Sequence, residues 1–95
     1  MLHMLLKSPY LVDIYEFLHF FSKEDDFVAL QDGVLIVLKN NLFYKKFIKI
    51  VKNRYVLKND LLARGLSSYN NKFSIINYKD LVYLTEKNIQ QIIWK

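Results

Sequence analysis

The chain has no cysteine among its 95 residues, and it has only two glycines and one proline. Disulfides, thiolate metal ligands and cysteine nucleophiles are therefore excluded within it. Two isolated glycines cannot form a glycine-rich phosphate-binding loop. No apolar run approaches the ~20 residues of a membrane-spanning helix, and no basic segment precedes the first apolar residues as in a signal peptide. We therefore expect a cytoplasmic protein without a membrane partner.

Arginine is also scarce, although the net charge is +5. Only Arg54 and Arg64 are present, and arginine is the usual residue for bidentate contacts with phosphates and bases. The abundant Lys, Asn, Ile, Tyr and Phe all have AT-rich codons, so genome composition would account for much of the charge. A solvated lysine-rich surface is therefore favoured over a functional basic patch.

Apolar residues, in contrast, are plentiful for so short a chain. The hydrophobic fraction is 53% and the aromatic fraction is 16%. A chain of this length folds as one domain, here residues 1–95, and buries roughly 65% of its unfolded surface. The surplus of apolar residues predicts that part of the surface is buried against a partner.

Short apolar runs alternate with capped or polar segments along the whole chain. The predicted strands are residues 2–6, 27–30, 54–57, 73–76 and 92–94, and the predicted helices are residues 9–22, 34–38, 42–52, 61–64 and 80–85. Residues 67–72 are polar and are predicted to form a flexible loop. The alternation indicates an α/β fold, a small, mostly parallel sheet of about five strands with helices on both faces.

Two of these helices are apolar on more than one side. Ser8-Pro9 predicts the start of the first helix, with Ser as the cap. This helix and residues 34–38 each have more apolar positions than one buried face requires, so we expect them to contact another subunit. Residues 42–52 instead predict an amphipathic helix, with Phe43, Phe47 and Ile50 on one face and Lys45, Lys49 and Lys52 on another.

The turn at Asp32-Gly33 is the first place to look for chemistry, because ligands of α/β sheets gather beyond the carboxyl ends of the strands. Asp32 is expected to cap the following helix. Gly33 is expected to allow a sharp turn where a side chain would collide. With no nucleophile or glycine-rich loop beside it, the turn favours a structural role over a catalytic one.

The remaining candidates are two histidines and an acidic run. His3 is expected to be a core or edge histidine with one satisfied nitrogen, since no acid or nucleophile is apparent near it. His19 is expected to lie at a rim, because no second ligand has a suitable spacing for a metal. Residues 23–26 predict a solvated turn rather than a metal site. The sequence thus predicts no catalytic, cofactor-binding or metal-binding residue.

Five segments, in this order and spacing, resemble the DsrH/TusB family over nearly the whole chain. They are Met1-Leu2-His3 with Ser8-Pro9-Tyr10, Leu30-Gln31-Asp32-Gly33-Val34, Leu57 to Leu66, Asn77-Tyr78 to Leu84-Thr85, and Trp94. The resemblance implies a DsrEFH-like fold and a cytoplasmic heterohexamer with TusC-like and TusD-like subunits. That complex relays sulfur toward 2-thiolation of the wobble uridine of tRNA.

The resemblance also implies that the persulfide-carrying cysteine belongs to the TusD-like subunit. Some DsrH relatives have a cysteine in the first helix, at a position near Phe17 here. Without a cysteine, this chain is expected to be a non-catalytic subunit, with no cofactor and no direct contact with tRNA. Two alternatives stay open: a small basic RNA-binding module, and a stand-alone enzyme that uses Asp32, with His3 as a further candidate.

Overall fold

Five short parallel strands form the centre of the computed structural model, which describes residues 1–66 and 72–95. The strands are β1 (Leu2–Leu5), β2 (Asp26–Ala29), β3 (Asn53–Leu57), β4 (Ser74–Ile76) and β5 (Gln91–Trp94). Their order in the sheet is β4-β3-β2-β1-β5, and every neighbouring pair is parallel. The predicted five-stranded α/β fold is confirmed, with β5 at one edge.

Helices connect successive strands. They are α1 (Ile14–His19), a 3₁₀ helix (Gln31–Val37), α2 (Tyr44–Ile50), α3 (Lys58–Ala63) and α4 (Tyr78–Lys87). Because consecutive side chains of a strand point to opposite faces, the apolar strands supply two separate core layers. Phe27 and Ala29 of β2 belong to a layer that includes residues of α1, the 3₁₀ helix, α2 and α3. Val28 belongs to a smaller layer with Leu84 of α4.

The first helix is shorter than predicted. Residues 9–22 were expected to be helical, but α1 begins at Ile14, where the Asp13 carboxylate accepts a hydrogen bond from the Glu16 amide at 3.1 Å. Ser8 does not cap a helix; its carbonyl instead accepts the Leu11 amide in a separate turn. A local turn and a strong Asp cap therefore displace the start by five residues.

The apolar helix after Gly33 also differs from the prediction. It begins at Gln31 rather than Val34, it is a 3₁₀ helix, and Leu30 occupies the N-cap position without a side-chain cap. Asp32 lies inside the first turn, so the prediction that Asp32 caps this helix is wrong. Val34, Ile36 and Val37 are buried inside this chain. Burial in the core of this chain thus explains most of the apolar sequence of the 3₁₀ helix.

The second half of the chain follows the prediction more closely. α2 is shorter than the predicted 42–52, so Phe43 and Lys52 lie outside it. Its amphipathic pattern is as predicted, with Phe47 buried and Lys45 and Lys49 exposed. α3 begins at Lys58, before the predicted start, without a side-chain cap from Asn59 or Asp60. Gly65 ends it in the left-handed region at φ 69°, as expected for a helix C-terminus. Most of the predicted 67–72 loop lies outside the described residues.

The last helix is longer than predicted. α4 begins at Tyr78 rather than Asp80, because Asn77 and Asp80 form a reciprocal capping box. The Asn77 side chain accepts the Asp80 amide at 2.9 Å, and the Asp80 carboxylate accepts the Asn77 amide at 3.3 Å. Both orphan amides of the helix start are therefore satisfied.

Candidate functional site

The turn after β2 lies at the carboxyl edge of the sheet, where ligands of α/β sheets gather. Its backbone passes so close to β1 that a Cβ atom on Gly33 would lie 1.9 Å from the Leu5 carbonyl oxygen. The predicted collision is confirmed, and only glycine fits here. Gln31, not Gly33, takes the left-handed conformation, at φ 53°. That conformation is uncommon for a residue with a side chain.

Two carboxylates and one guanidinium hold this turn against α3. The Gln31 amide donates to Asp60 Oδ2 at 2.6 Å. Arg64 donates through Nε and Nη2 to Asp32 Oδ1, at 3.0 and 2.9 Å. These contacts join the end of β2 to the helix that follows β3, so they fix the left-handed Gln31 in place.

The chemical capacity of this turn is limited. The side chain of Asp32 is 64% exposed, and Arg64 neutralises its carboxylate. No serine, threonine or histidine bonds to Asp32 or Asp60 in the described residues, and the chain has no cysteine. No group of three or more His, Cys, Asp or Glu side chains that could hold a metal ion occurs among the described residues. In this geometry Asp32 ties the turn after β2 to the end of α3.

A second polar cluster is buried in the sheet around His3. The His3 ring is 1% exposed, its Nε2 lies 2.8 Å from Asp25 Oδ2, and its Nδ1 lies 2.9 Å from Trp94 Nε1. An indole nitrogen can only donate, so Nδ1 accepts and the proton of the neutral ring is on Nε2. Both nitrogens are therefore satisfied, where one was expected.

Asp25 is the acid that the sequence reasoning missed. Its carboxylate also accepts the Ser22 amide at 3.0 Å and the Met1 amino group at 3.2 Å. Burial alone would raise the pKa of Asp25, but the hydrogen bonds from His3, Ser22 and Met1 hold it below its usual 3.8. Burial lowers the pKa of His3 below 6.5, despite the opposing contact with Asp25. The cluster thus keeps a neutral histidine beside a carboxylate.

The acidic run 23–26 is not a solvated turn throughout. Asp25 and Asp26 are 8% and 2% exposed. Asp26 lies on the opposite face of the sheet from His3, where Oδ2 accepts Asn88 Nδ2 at 3.1 Å and lies 3.2 Å from Lys87 Nζ. Because Leu2 pairs with Asp26 across β1 and β2, the end of the run enters the sheet, which the prediction of a solvated turn overlooked.

Large apolar side chains remain exposed on two sides of the molecule. Leu11 and Phe20, which flank α1, are 76% and 67% exposed. On α4, Val82 and Tyr83 are 53% and 67% exposed. Isolated apolar side chains at a surface are ordinary, but neighbouring ones mark contact surfaces. His19, at the end of α1, is exposed as predicted.

The two arginines are committed to internal contacts. Arg54 donates from Nε to the Lys72 carbonyl at 2.8 Å and from Nη1 to the carbonyls of Ile48 and Val51 at the end of α2. Arg64 is bound to Asp32. Neither guanidinium is free to read a base or grip a phosphate. The exposed cations of the described residues are therefore lysines.

Comparison with known proteins places the chain in a family. Residues 7–91 match the family model described as DsrH like protein. The chain belongs to the DsrH family. This DsrH family member is 50% identical to Protein TusB of Buchnera aphidicola subsp. Schizaphis graminum, over 99% of this chain and all of the relative. It is 37% identical to Protein TusB of Erwinia tasmaniensis and of Escherichia coli K12, with the same coverage.

The family match confirms the resemblance found in the sequence. The match includes the turn at Asp32, and of the His3–Asp25–Trp94 cluster it includes Asp25 alone. No helix within residues 1–66 and 72–95 is long and apolar enough to cross a membrane.

Proposed function

We propose that the chain is a non-catalytic subunit of a TusBCD-type sulfur-relay complex, which passes persulfide sulfur toward 2-thiolation of the wobble uridine of tRNA. The observation that carries the proposal is the full-length similarity to proteins named TusB. In this proposal the partners are TusC-like and TusD-like chains, two copies of each subunit form a heterohexamer, and the complex works in the cytoplasm.

The chemistry of the chain supports the non-catalytic role. A persulfide is held on a cysteine sulfur, and this chain has none. At the carboxyl edge of the sheet, Asp32 is neutralised by Arg64. His3 is enclosed, with both ring nitrogens bonded inside the protein. In this proposal the sulfur-carrying group comes from a partner, and this chain contributes contact surface to the assembly.

The exposed apolar side chains support assembly. Leu11 and Phe20 beside α1, and Val82 and Tyr83 on α4, are the kind of apolar groups that a subunit interface covers. Expressed alone, the chain is expected to self-associate or to be poorly soluble. Co-expression with its two sister chains is expected to restore solubility.

The test is co-expression of the tagged chain with the TusC-like and TusD-like chains of its own genome. Light scattering after size-exclusion chromatography should show equimolar chains with two copies of each. Deletion of the gene should lower 2-thiouridine in tRNA, measured by mass spectrometry of digested tRNA, and the intact gene should restore it. A soluble monomer with no affinity for either sister chain would contradict the proposal.

Matched surface variants locate the contact. Leu11→Lys with Phe20→Lys tests the α1 side, and Val82→Lys with Tyr83→Lys tests the α4 side. Each pair adds two charges at exposed positions, so folding measured by circular dichroism should be retained. At least one pair is expected to prevent assembly. Asp32→Asn serves as the catalytic control, and thiolation should persist in it; loss of thiolation by a folded, assembled Asp32→Asn variant would favour the enzyme alternative.

A further inference from the structure

The positive charge of the chain is concentrated in one segment. Residues 33–59 contain seven of the 14 lysines and arginines and none of the nine acidic residues. The rest of the chain has more acidic than basic residues. A surface that is charged only for solubility usually mixes both signs. The segregation therefore points to a surface that meets an anion.

The fold places much of this charge on the outer side of α2. Lys45 and Lys49 lie one turn apart on the side of α2 opposite to Phe47, which is completely buried. Lys52 follows in the short connection between α2 and β3. All three lysines are exposed. None of them has a carboxylate within ion-pair distance in the part of the chain that the structure describes. We name these three lysines, with the neighbouring Lys46, the α2 lysine face.

An exposed aromatic ring adjoins this face. The Lys46 ammonium lies 5.3 Å from the centre of the Tyr15 ring. The Tyr15 hydroxyl donates to the Leu42 carbonyl at 3.3 Å, just before α2 begins. This hydrogen bond ties α1 to the start of α2 and fixes the ring beside the lysines, while the Tyr15 residue stays 44% exposed.

We propose that the α2 lysine face and Tyr15 form a binding surface for the sugar–phosphate backbone and an unstacked base of RNA. Lysine ammonium groups neutralise phosphates as point charges. Aromatic rings at protein surfaces stack on bases of single-stranded or loop regions. From Lys45 to Lys49 the helical rise is roughly 6 Å, and Lys52 lies just beyond the end of the helix, so the face fits a few phosphates rather than a long duplex.

The contacts of the arginine side chain in this segment determine how the face would recognise RNA. Arg54 lies in the charged segment, but its guanidinium bonds to backbone carbonyls, so no arginine fork is presented to a base edge on this face. Binding is therefore electrostatic and largely independent of sequence. The proposal replaces the expectation that tRNA is not a direct partner. It does not depend on the sulfur-relay assignment, because the face belongs to this chain alone.

The test uses fluorescently labelled, unmodified tRNA and anisotropy titrations between about 50 and 200 mM salt. The protein is the complex with the sister chains or, where no complex forms, the dilute full chain. The variant is Lys45→Gln, Lys49→Gln and Lys52→Gln together. We expect at least about tenfold weaker binding near 100 mM salt. A plot of log K against log salt should also be shallower by about 0.7–0.9 for each phosphate that a lysine no longer neutralises.

The matched control removes the same charge elsewhere, with Lys23→Gln, Lys79→Gln and Lys95→Gln together. These lysines are also exposed. The control should bind RNA within about twofold of the unaltered protein. A Tyr15→Phe variant, which keeps the ring, should bind almost normally, whereas Tyr15→Ala should bind several-fold more weakly.

Three results would overturn the proposal. The first is equal weakening in the α2 and control triples, which would show only a net-charge effect. The second is no RNA binding by folded protein. The third comes from lysine labelling with an amine-reactive reagent: protection of Lys45 and Lys49 by the sister chains in the absence of RNA would show that this face is a protein interface. Protection by tRNA alone supports the proposal. Because complex formation is measured separately, failure of RNA binding leaves the relay proposal standing.

Discussion

Replacing Trp94 by phenylalanine isolates the hydrogen bond that sets the tautomer of His3. The substitution keeps an aromatic ring among Phe17, Phe27 and Phe47 but removes the indole donor to His3 Nδ1. A buried acceptor left unsatisfied costs about 1–3 kcal/mol, and the smaller ring adds a cavity cost of about 1 kcal/mol. We expect the free energy of unfolding to fall by about 2–4 kcal/mol at pH 7.5.

The stability cost of Trp94→Phe is expected to depend on pH, because the substitution changes how His3 titrates. Burial keeps the pKa of folded His3 below 6.5, so below that pH the unfolded chain binds a proton that the folded chain does not. Stability therefore falls as the pH decreases through 6.5. By pH 5.5 the unaltered protein loses up to about 1.4 kcal/mol through this group. Asp25 adds a similar loss only below its unfolded pKa of 3.8.

Without the indole donor, Nδ1 is free to take a proton while Nε2 stays on Asp25. The pKa of folded His3 then rises toward its ordinary value, and the variant loses less stability on acidification. The difference between the two proteins should thus narrow by up to about 1.4 kcal/mol between pH 7.5 and 5.5.

The assay is unfolding in urea, monitored by far-ultraviolet circular dichroism at low micromolar protein concentration. Tryptophan fluorescence is unsuitable, because the chain has one tryptophan and the variant lacks it. Phe47→Leu is the control; it removes a buried ring in contact with Trp94 and no titrating group, so its cost should not change with pH. If the unfolding free energies of the unaltered protein and Trp94→Phe change with pH in parallel, the inference that the indole donor keeps Nδ1 unprotonated is refuted.

Three further substitutions test the turn after β2 and the last helix. Gly33→Ala places a methyl group against the Leu5 carbonyl and should cost more than about 3 kcal/mol, beyond the usual range for overpacking, seen as loss of soluble protein or a much lower urea midpoint. Asp32→Asn breaks an exposed ion pair with Arg64 and should cost under about 1 kcal/mol by the same measurement. Asn77→Ala removes half of the capping box of α4 and should cost about 1 kcal/mol, with faster amide exchange in the first turn; unchanged exchange there would contradict this.

Strands were predicted well because they are short apolar runs bounded by polar residues. Residues 27–30 and 54–57 are runs of this kind. Their parallel order follows from the helices between them. Helix starts were harder. Ser8-Pro9 is a standard start signal, yet Asp13 caps α1, because several residues of one segment can cap and only the local turn decides between them.

The buried polar cluster could not be predicted, since it depends on register. His3 and Asp25 are 22 positions apart, and Trp94 is 91 positions from His3. Only the pairing of β1 with β2 and β5 brings them together. The signal that was available is an aspartate at the start of a strand next to the strand that carries His3. Likewise, the pairing of Asp32 with Arg64 depends on the contact of the 3₁₀ helix with α3.

The position of β5 has a consequence for how the protein reaches its native state. β1, which precedes the other four strands in the chain, needs β2 on one side and β5 on the other. Its second neighbour is therefore the last of the five strands to be synthesised. Contacts so distant along the chain slow folding, because the intervening loop must close first. During synthesis β1 keeps an unpaired edge, which is open to a strand of another chain. Folding of this subunit is thus expected to be most vulnerable to aggregation just before residues 91–94 add to the sheet.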